Sequence, residues 1–137
     1  PEKIAQLFLS RAEPEAVGMS PIGGYLKVVG EVDDQGMVVH LDPAAGDRAQ
    51  SINAPLSPGL FGEVQITSWQ VTPFDLPVLF RGPGVIACDG DRDHKLTEGA
   101  VARVQLRRDG PWVPDLSATM RYATDVGIMA ANLKDPL

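Results

Sequence analysis

The chain has a single cysteine, Cys88, so it cannot close an internal disulfide. Its place at the end of Val85-Ile86-Ala87-Cys88 predicts a small buried hydrophobe rather than a reactive thiol, and such cysteine usage fits a reducing cytoplasm. Aromatic residues are scarce, at 6%. Cations are in deficit, with 12 Lys and Arg against 18 Asp and Glu and a net charge of −6. No basic cluster or aromatic-basic stripe offers a phosphate-tracking surface, which argues against a nucleic-acid partner. No apolar run approaches the roughly 20 residues of a membrane-spanning helix. The opening residues PEKIAQLFLSRAEP lack the small-residue cleavage site of a signal peptide. An initiator methionine is missing as well: the chain opens on Pro1, and the expectation is a fragment of a longer protein.

What is present is one domain's worth of chain. The 137 residues, 44% of them apolar, suffice for a single continuous core, so residues 1–137 are read as one domain. Fourteen glycines and twelve prolines exceed what a helical bundle tolerates and suit a loop-rich β domain. Short β-type segments separated by Gly, Pro and Asp recur at 36–41, 62–69, 77–80, 84–88 and 100–109. The fold class is therefore mainly β, a sandwich of short strands with a short helix near each end. At the N-terminal end, Ile4, Leu7, Phe8 and the stem of Arg11 share a face at helical spacing, and Pro14 stops the pattern. The stretch AVGMSPIGGYLKVV reads as a strand interrupted by a tight loop at Ser20-Pro21 and Gly23-Gly24. Val101, Val104 and Leu106 alternate with Arg103, Gln105 and Arg107 only if a bulge intervenes. Asp109-Gly110 predicts a reversal into Pro111-Trp112-Val113, and Asp115 or Ser117 is placed to cap a helix running through Met120 and Tyr122 toward Gly127.

The densest chemistry lies in GPGVIACDGDRDHKL (82–96), where an apolar strand runs into Asp89, Asp91 and Asp93. The D-x-D-x-D spacing opens a calcium loop, but position six is His94 instead of Gly and position twelve is Ala100 instead of the bidentate Glu. The plain alternative is a hairpin tip, with Asp89-Gly90 at the two central positions of a tight turn and 91–95 a solvated edge strand. Such a turn also sets Asp89 and Asp91 close enough to hold Mg²⁺ or to take a proton from a substrate hydroxyl. His40 and His94 stand on different segments without a third ligand, against a zinc site. The serines lack a GxSxG context, against a hydrolase triad. SPIGG could present backbone N–H groups to an anion, although no Walker lysine follows and a plain turn serves as well. Trp69 and Trp112 read as core or interface aromatics.

Four stretches, AVGMSPIGGYLKVV, INAPLSPGLFGEVQI, GPGVIACDGDRD and DGPWVPDLSATMRYA, together resemble the C-terminal β domain of the ATP-NAD kinase-like family, which includes the acetoin-catabolism X proteins. The family pattern runs Ser-Ser-Ile-Gly-Gly, Ala-Pro-Ile-Ala-Pro-Gly, Leu-Asp-Gly-Glu-Arg-Glu and Asp-Gly-Pro. The resemblance implies a two-domain kinase-like protein whose N-terminal α/β domain, absent here, carries the Gly-rich nucleotide loop. It implies Asp89 and Asp91 as catalytic and metal-orienting carboxylates. It also implies Ser20, Gly23, Gly24, Pro58, Gly59, Gly90 and Arg92 as cofactor contacts, with Mg²⁺ and ATP as cofactors and NAD or a related small molecule as partner. Asp91 and Asp93 replace glutamates of the pattern, Pro21 replaces a serine, and the Gly-Gly-Asp-Gly loop is missing. Phosphoryl transfer is mostly positioning and charge stabilisation, so this half of a cleft is expected to be inactive alone. The competing expectation is a non-catalytic ligand-binding or homo-oligomerisation module, with an accessory role in acetoin catabolism.

Overall fold

The structure, a computed structural model, describes residues 4–88, 92–107 and 109–130. It divides into two units, Pro1–Arg107 and Arg108–Leu137. The chain is mainly β, with short strands in three separate sheets and short helices. The first unit centres on an antiparallel four-stranded sheet built from β1 (Gln6–Leu9), β2 (Gln35–Leu41), β3 (Gln50–Ser57) and β4 (Leu60–Pro73), in the order β1-β2-β4-β3. A helix α1 (Ser20–Gly24) lies between β1 and β2 in sequence. Two antiparallel ribbons follow: β5 (Val78–Arg81) with β8 (Val101–Val104), and β6 (Gly84–Cys88) with β7 (Arg92–Leu96).

The core sits on one face of the four-stranded sheet. Because side chains alternate between faces along a strand, the pairs Leu9↔Met37, Leu7↔Val39 and Met37↔Val71 put these residues on a common face. Ile52 and Ala54 join it through β3, and the buried cluster adds Ala12, Ile22, Val29 and Ile66. The opposite face is dry only toward β1 and β2. There Val38 is buried beside its partner Phe8, and a Cβ placed on Gly36 would meet Leu106 Cδ2 at 3.3 Å, so Leu106, two residues after β8, packs over that patch. Thr72 is buried nearby, its Oγ1 without a hydrogen-bond partner among the described residues.

Two sequence-based assignments at the N-terminal end are corrected. The segment holding Leu7 and Phe8 is strand β1, not a helix. Its apolar run reads continuously because both of its faces are covered, Leu7 and Leu9 on the core side and Phe8 against Val38, and that double burial erases the alternation that marks a half-exposed strand. Conversely, SPIGG is helix α1, not a strand and loop. Pro21 fits its first turn, where the missing N–H is not needed, and the two glycines are used for close approach. Strand β3 fell outside the recognised β segments because Asn53, Pro55 and Ser57 are poor strand formers. Pro55 is tolerated because β3 is an edge.

The ladder between β5 and β8 runs unbroken from Val78↔Val104 to Arg81↔Val101, so no bulge is needed. Ala102 and Val104 turn inward and Val101 is exposed. This ribbon is tied to the end of β4 by the Asp75 N–H donating to Leu106 O at 3.2 Å and Gln105 Nε2 to Asp75 O at 3.1 Å.

In the second unit, helix α2 (Leu116–Asp125) begins at Asp115, whose Oδ1 accepts from the Ala118 N–H at 2.9 Å, as the capping pattern predicts. Residues 109–114 carry no regular structure and Trp112 is fully exposed, so neither a paired return strand nor a core role for that tryptophan is found. No helix among the described residues is long and apolar enough to cross a membrane.

Candidate functional site

The acidic hairpin is built on the ribbon β6–β7. Its register runs from Gly84↔Leu96 through Ile86↔His94 to Cys88↔Arg92, so the chain does climb one strand to residue 88 and return from 92. The predicted solvated edge strand is found in β7, where Arg92, Asp93, His94 and Lys95 are exposed and only Leu96 is partly covered. Cys88 is a free thiol of intermediate burial. The reversal itself, with the expected catalytic and metal residues Asp89 and Asp91 and the expected cofactor contact Gly90, lies outside the described residues. Among the described residues, no group of three His, Cys, Asp or Glu side chains gathers to hold a metal ion.

The second expected element, Ser20-Pro21-Ile22-Gly23-Gly24, is a packing joint. Ser20 Oγ accepts from the Glu13 N–H at 3.0 Å and donates to Arg11 O at 3.1 Å, pinning the chain after β1 to the start of α1. Gly23 and Gly24 are buried. A Cβ on Gly23 would stand 2.6 Å from Leu9 Cδ1 and 2.9 Å from Met37 Sδ. One on Gly24 would stand 2.5 Å from the Pro14 backbone N and 2.6 Å from Glu13 C. Both glycines therefore let α1 sit directly on β1, β2 and the 13–14 backbone, a need that exists whether or not a ligand binds.

The third element, Pro58-Gly59, is the exposed turn joining β3 to β4. Ser57 pairs with Leu60, and Gly59 has φ 77°, as the third position of a type II turn after proline requires. Helix α1 and strand β3 meet, the Gly18 N–H donating to Pro55 O at 2.9 Å. The ribbon carrying Arg92 belongs to a different sheet.

A feature that sequence reasoning missed lies where β3 begins. Gln50 pairs with Ile66 at the end of the β3–β4 ladder, while β4 continues to Pro73, so β4 loses its partner on that side from Thr67 onward. On its other side Leu41 pairs with Ile66 and His40 with Ser68, which leaves Thr67 as the extra residue of a β-bulge. Thr67 Oγ1 donates to His40 O at 3.3 Å. The short 3₁₀ turn Gly46–Arg48 runs up to this notch. The resulting shallow depression, about 300 Å³, is lined by Arg48, Gln50, Ile66, Thr67, Ser68 and Trp69. The adjacent polar pair Thr67-Ser68, breaking the alternation of Val64 and Ile66, was the available trace of the bulge.

Comparison with known proteins places these features in a family. A family model for the acetoin catabolism protein X C-terminal domain matches residues 1–109. Acetoin catabolism protein X of Cupriavidus necator is 32% identical over 123 residues, 89% of this chain. The chain spans about a third of that relative's length, 34%. No solved structure matches.

Proposed function

Because the chain belongs to the acetoin catabolism protein X C-terminal domain family, we propose that it serves acetoin catabolism as a non-catalytic ligand-binding or assembly module of a longer protein. The observation that carries this reading is the extent of the family match, which takes in every strand of the first unit. The packing joint supports it. The Ser20 hydroxyl and the space above Gly23 and Gly24 are taken up by contacts within the domain, so this segment is accounted for without a nucleotide.

A second reading keeps the phosphotransferase: the whole protein would move a phosphoryl group from ATP, with Mg²⁺, to NAD or a related hydroxyl, Asp89 acting as base and Asp91 as its partner. What favours it is the ribbon stem, which runs directly into residue 89. Isothermal titration with acetoin, NAD, NADP and ATP, with and without Mg²⁺, together with light scattering, separates the two. The module reading expects a stable oligomer or saturable binding that is indifferent to Mg²⁺. Mg²⁺-dependent ATP or NAD binding that is lost in Asp89→Asn or Asp91→Asn overturns it in favour of the kinase.

A further inference from the structure

We propose that the notch between Arg48 and Trp69 is a binding site for a small organic anion, a carboxylate or phosphate carried on a planar or apolar body. The inference is independent of the family and of the acidic hairpin, since it rests on local geometry alone.

Three features converge there. The first is a cation without a carboxylate. Arg11, elsewhere in the same unit, faces Glu31 at 3.3 Å and Glu13 at 4.0 Å, whereas Arg48 makes no ion pair among the described residues. Its Nε donates at 3.4 Å to Ala45 O, a contact that steadies the stem and leaves the two terminal amino groups of the guanidinium for a ligand. In a chain of net charge −6, Arg48 is, among the described residues, the one charged side chain lining this depression, its neighbours there being neutral. A planar guanidinium fork matches the two oxygens of a carboxylate or phosphate.

The second feature is an apolar platform beside it. Trp69 lies opposite Val39 on the core face of the sheet, yet its side of the face is not closed over and the residue stays 40% exposed. Ile66, almost completely buried, forms the floor. An indole face next to an arginine accepts a planar or apolar body that hydroxyl and amide groups alone would not hold.

The third feature is the interrupted ladder. Beyond the start of β3 at Gln50, β4 presents an unpaired backbone edge from Thr67 onward, and the bulge re-aims the chain at that point. Gln50 and Ser68 add an amide and a hydroxyl around the depression, the Thr67 hydroxyl being committed to His40 O. Together these supply the donors that an anion needs around its remaining oxygens.

The test uses the full chain carrying Trp112→Phe, so that Trp69 is the sole tryptophan and reports on the notch; Trp112 is fully exposed and its loss leaves packing untouched. Tryptophan fluorescence and backbone amide NMR shifts are followed during titration with benzoate, phenyl phosphate, inorganic phosphate and benzyl alcohol. The expected result is saturable quenching of Trp69, with amide shifts at 66–69, for benzoate or phenyl phosphate. Which of the two binds more tightly distinguishes the carboxylate from the phosphate source. Benzyl alcohol and inorganic phosphate are each expected to bind at least about tenfold more weakly. Arg48→Gln should weaken binding by about tenfold or more, and Arg48→Lys, which keeps the charge and loses the fork, by less. Circular dichroism checks that both variants remain folded. The proposal is overturned if the response is linear and non-saturating, if benzyl alcohol binds as well as the anions, or if folded Arg48→Gln and Arg48→Lys both bind like the parent.

Discussion

The four-stranded sheet and the two ribbons that follow it are made of similar residues and are held in different ways. In the sheet, Met37, Val39, Ala54 and Ile66 are buried against Ile22, Ala12 and Val29. After Thr72 no described residue is buried, and the ribbons β5–β8 and β6–β7 hold their shape by ladder hydrogen bonds and partial cover of Val78, Phe80, Ile86 and Val104. A two-stranded ribbon alone is marginal in water. Here the ribbons are joined by the Gly82 N–H donating to Ala100 O at 2.9 Å, and the first is anchored to the turn at Asp75. The lesson is a division of labour: side-chain burial sets the global stability in the first half, while the strand that leads to the acid cluster sits on an element held mainly by its backbone.

The sharpest way to break this contrast is a pair of truncations. Met37→Ala should cost about 2–5 kcal/mol, the usual range for emptying a fully buried site. Val85→Ala, on the exposed side of β6, should stay within about 0.5 kcal/mol. Urea denaturation of both variants measures the difference, and equal losses would erase the contrast.

A somewhat smaller effect belongs to the joint beneath α1. Gly24→Ala drives a Cβ into the Pro14 and Glu13 backbone and should cost about 1–3 kcal/mol or more. Gly23→Ala meets the flexible ends of Leu9 and Met37 and should cost less. The reverse order, read from the same denaturation curves, would mean that α1 does not sit where the sheet requires it. Ser20→Ala removes a part-buried hydrogen bond from the Glu13 N–H and a second to Arg11 O, an expected loss of about 1–2 kcal/mol. Ser20→Thr, which keeps the hydroxyl, should recover part of it. The smallest effect is expected in the second unit: Asp115→Ala should lower the helical signal of α2 by circular dichroism, a local loss of about 1 kcal/mol, with the urea midpoint of the sheet unchanged.

Much of the β character was legible in the chain because β2, β4, β5 and β6 carry β-branched runs bounded by glycine, proline or aspartate. The cap at Asp115 was legible for the same local reason. What failed depended on tertiary contacts. Strand β1 looked helical because Phe8 is covered by Val38 on the face that would otherwise be polar. SPIGG looked like a loop because its glycines have no local meaning until Leu9 and Pro14 are in place. β3 carries proline and asparagine that only an edge strand accepts. Of the site, the ribbon stem around residues 84–96 was readable as a hairpin, with Asp89, Gly90 and Asp91 outside the described residues. The Arg48 notch was not readable, since it arises from a mismatch in strand length and a bulge, neither of which leaves more than the Thr67-Ser68 step in the sequence.

Native-state hydrogen exchange tests the division of labour most directly. The amides of Met37, Val38, Val39 and Gln70 should exchange only through global unfolding, sharing one free energy and one urea dependence, while those of Ile86 and His94 should open at least about 2 kcal/mol more easily and with little urea dependence. Ribbon amides protected to the same level as β2 and β4, moving with the same urea slope, would contradict the account and place the acid-bearing hairpin inside the cooperative core.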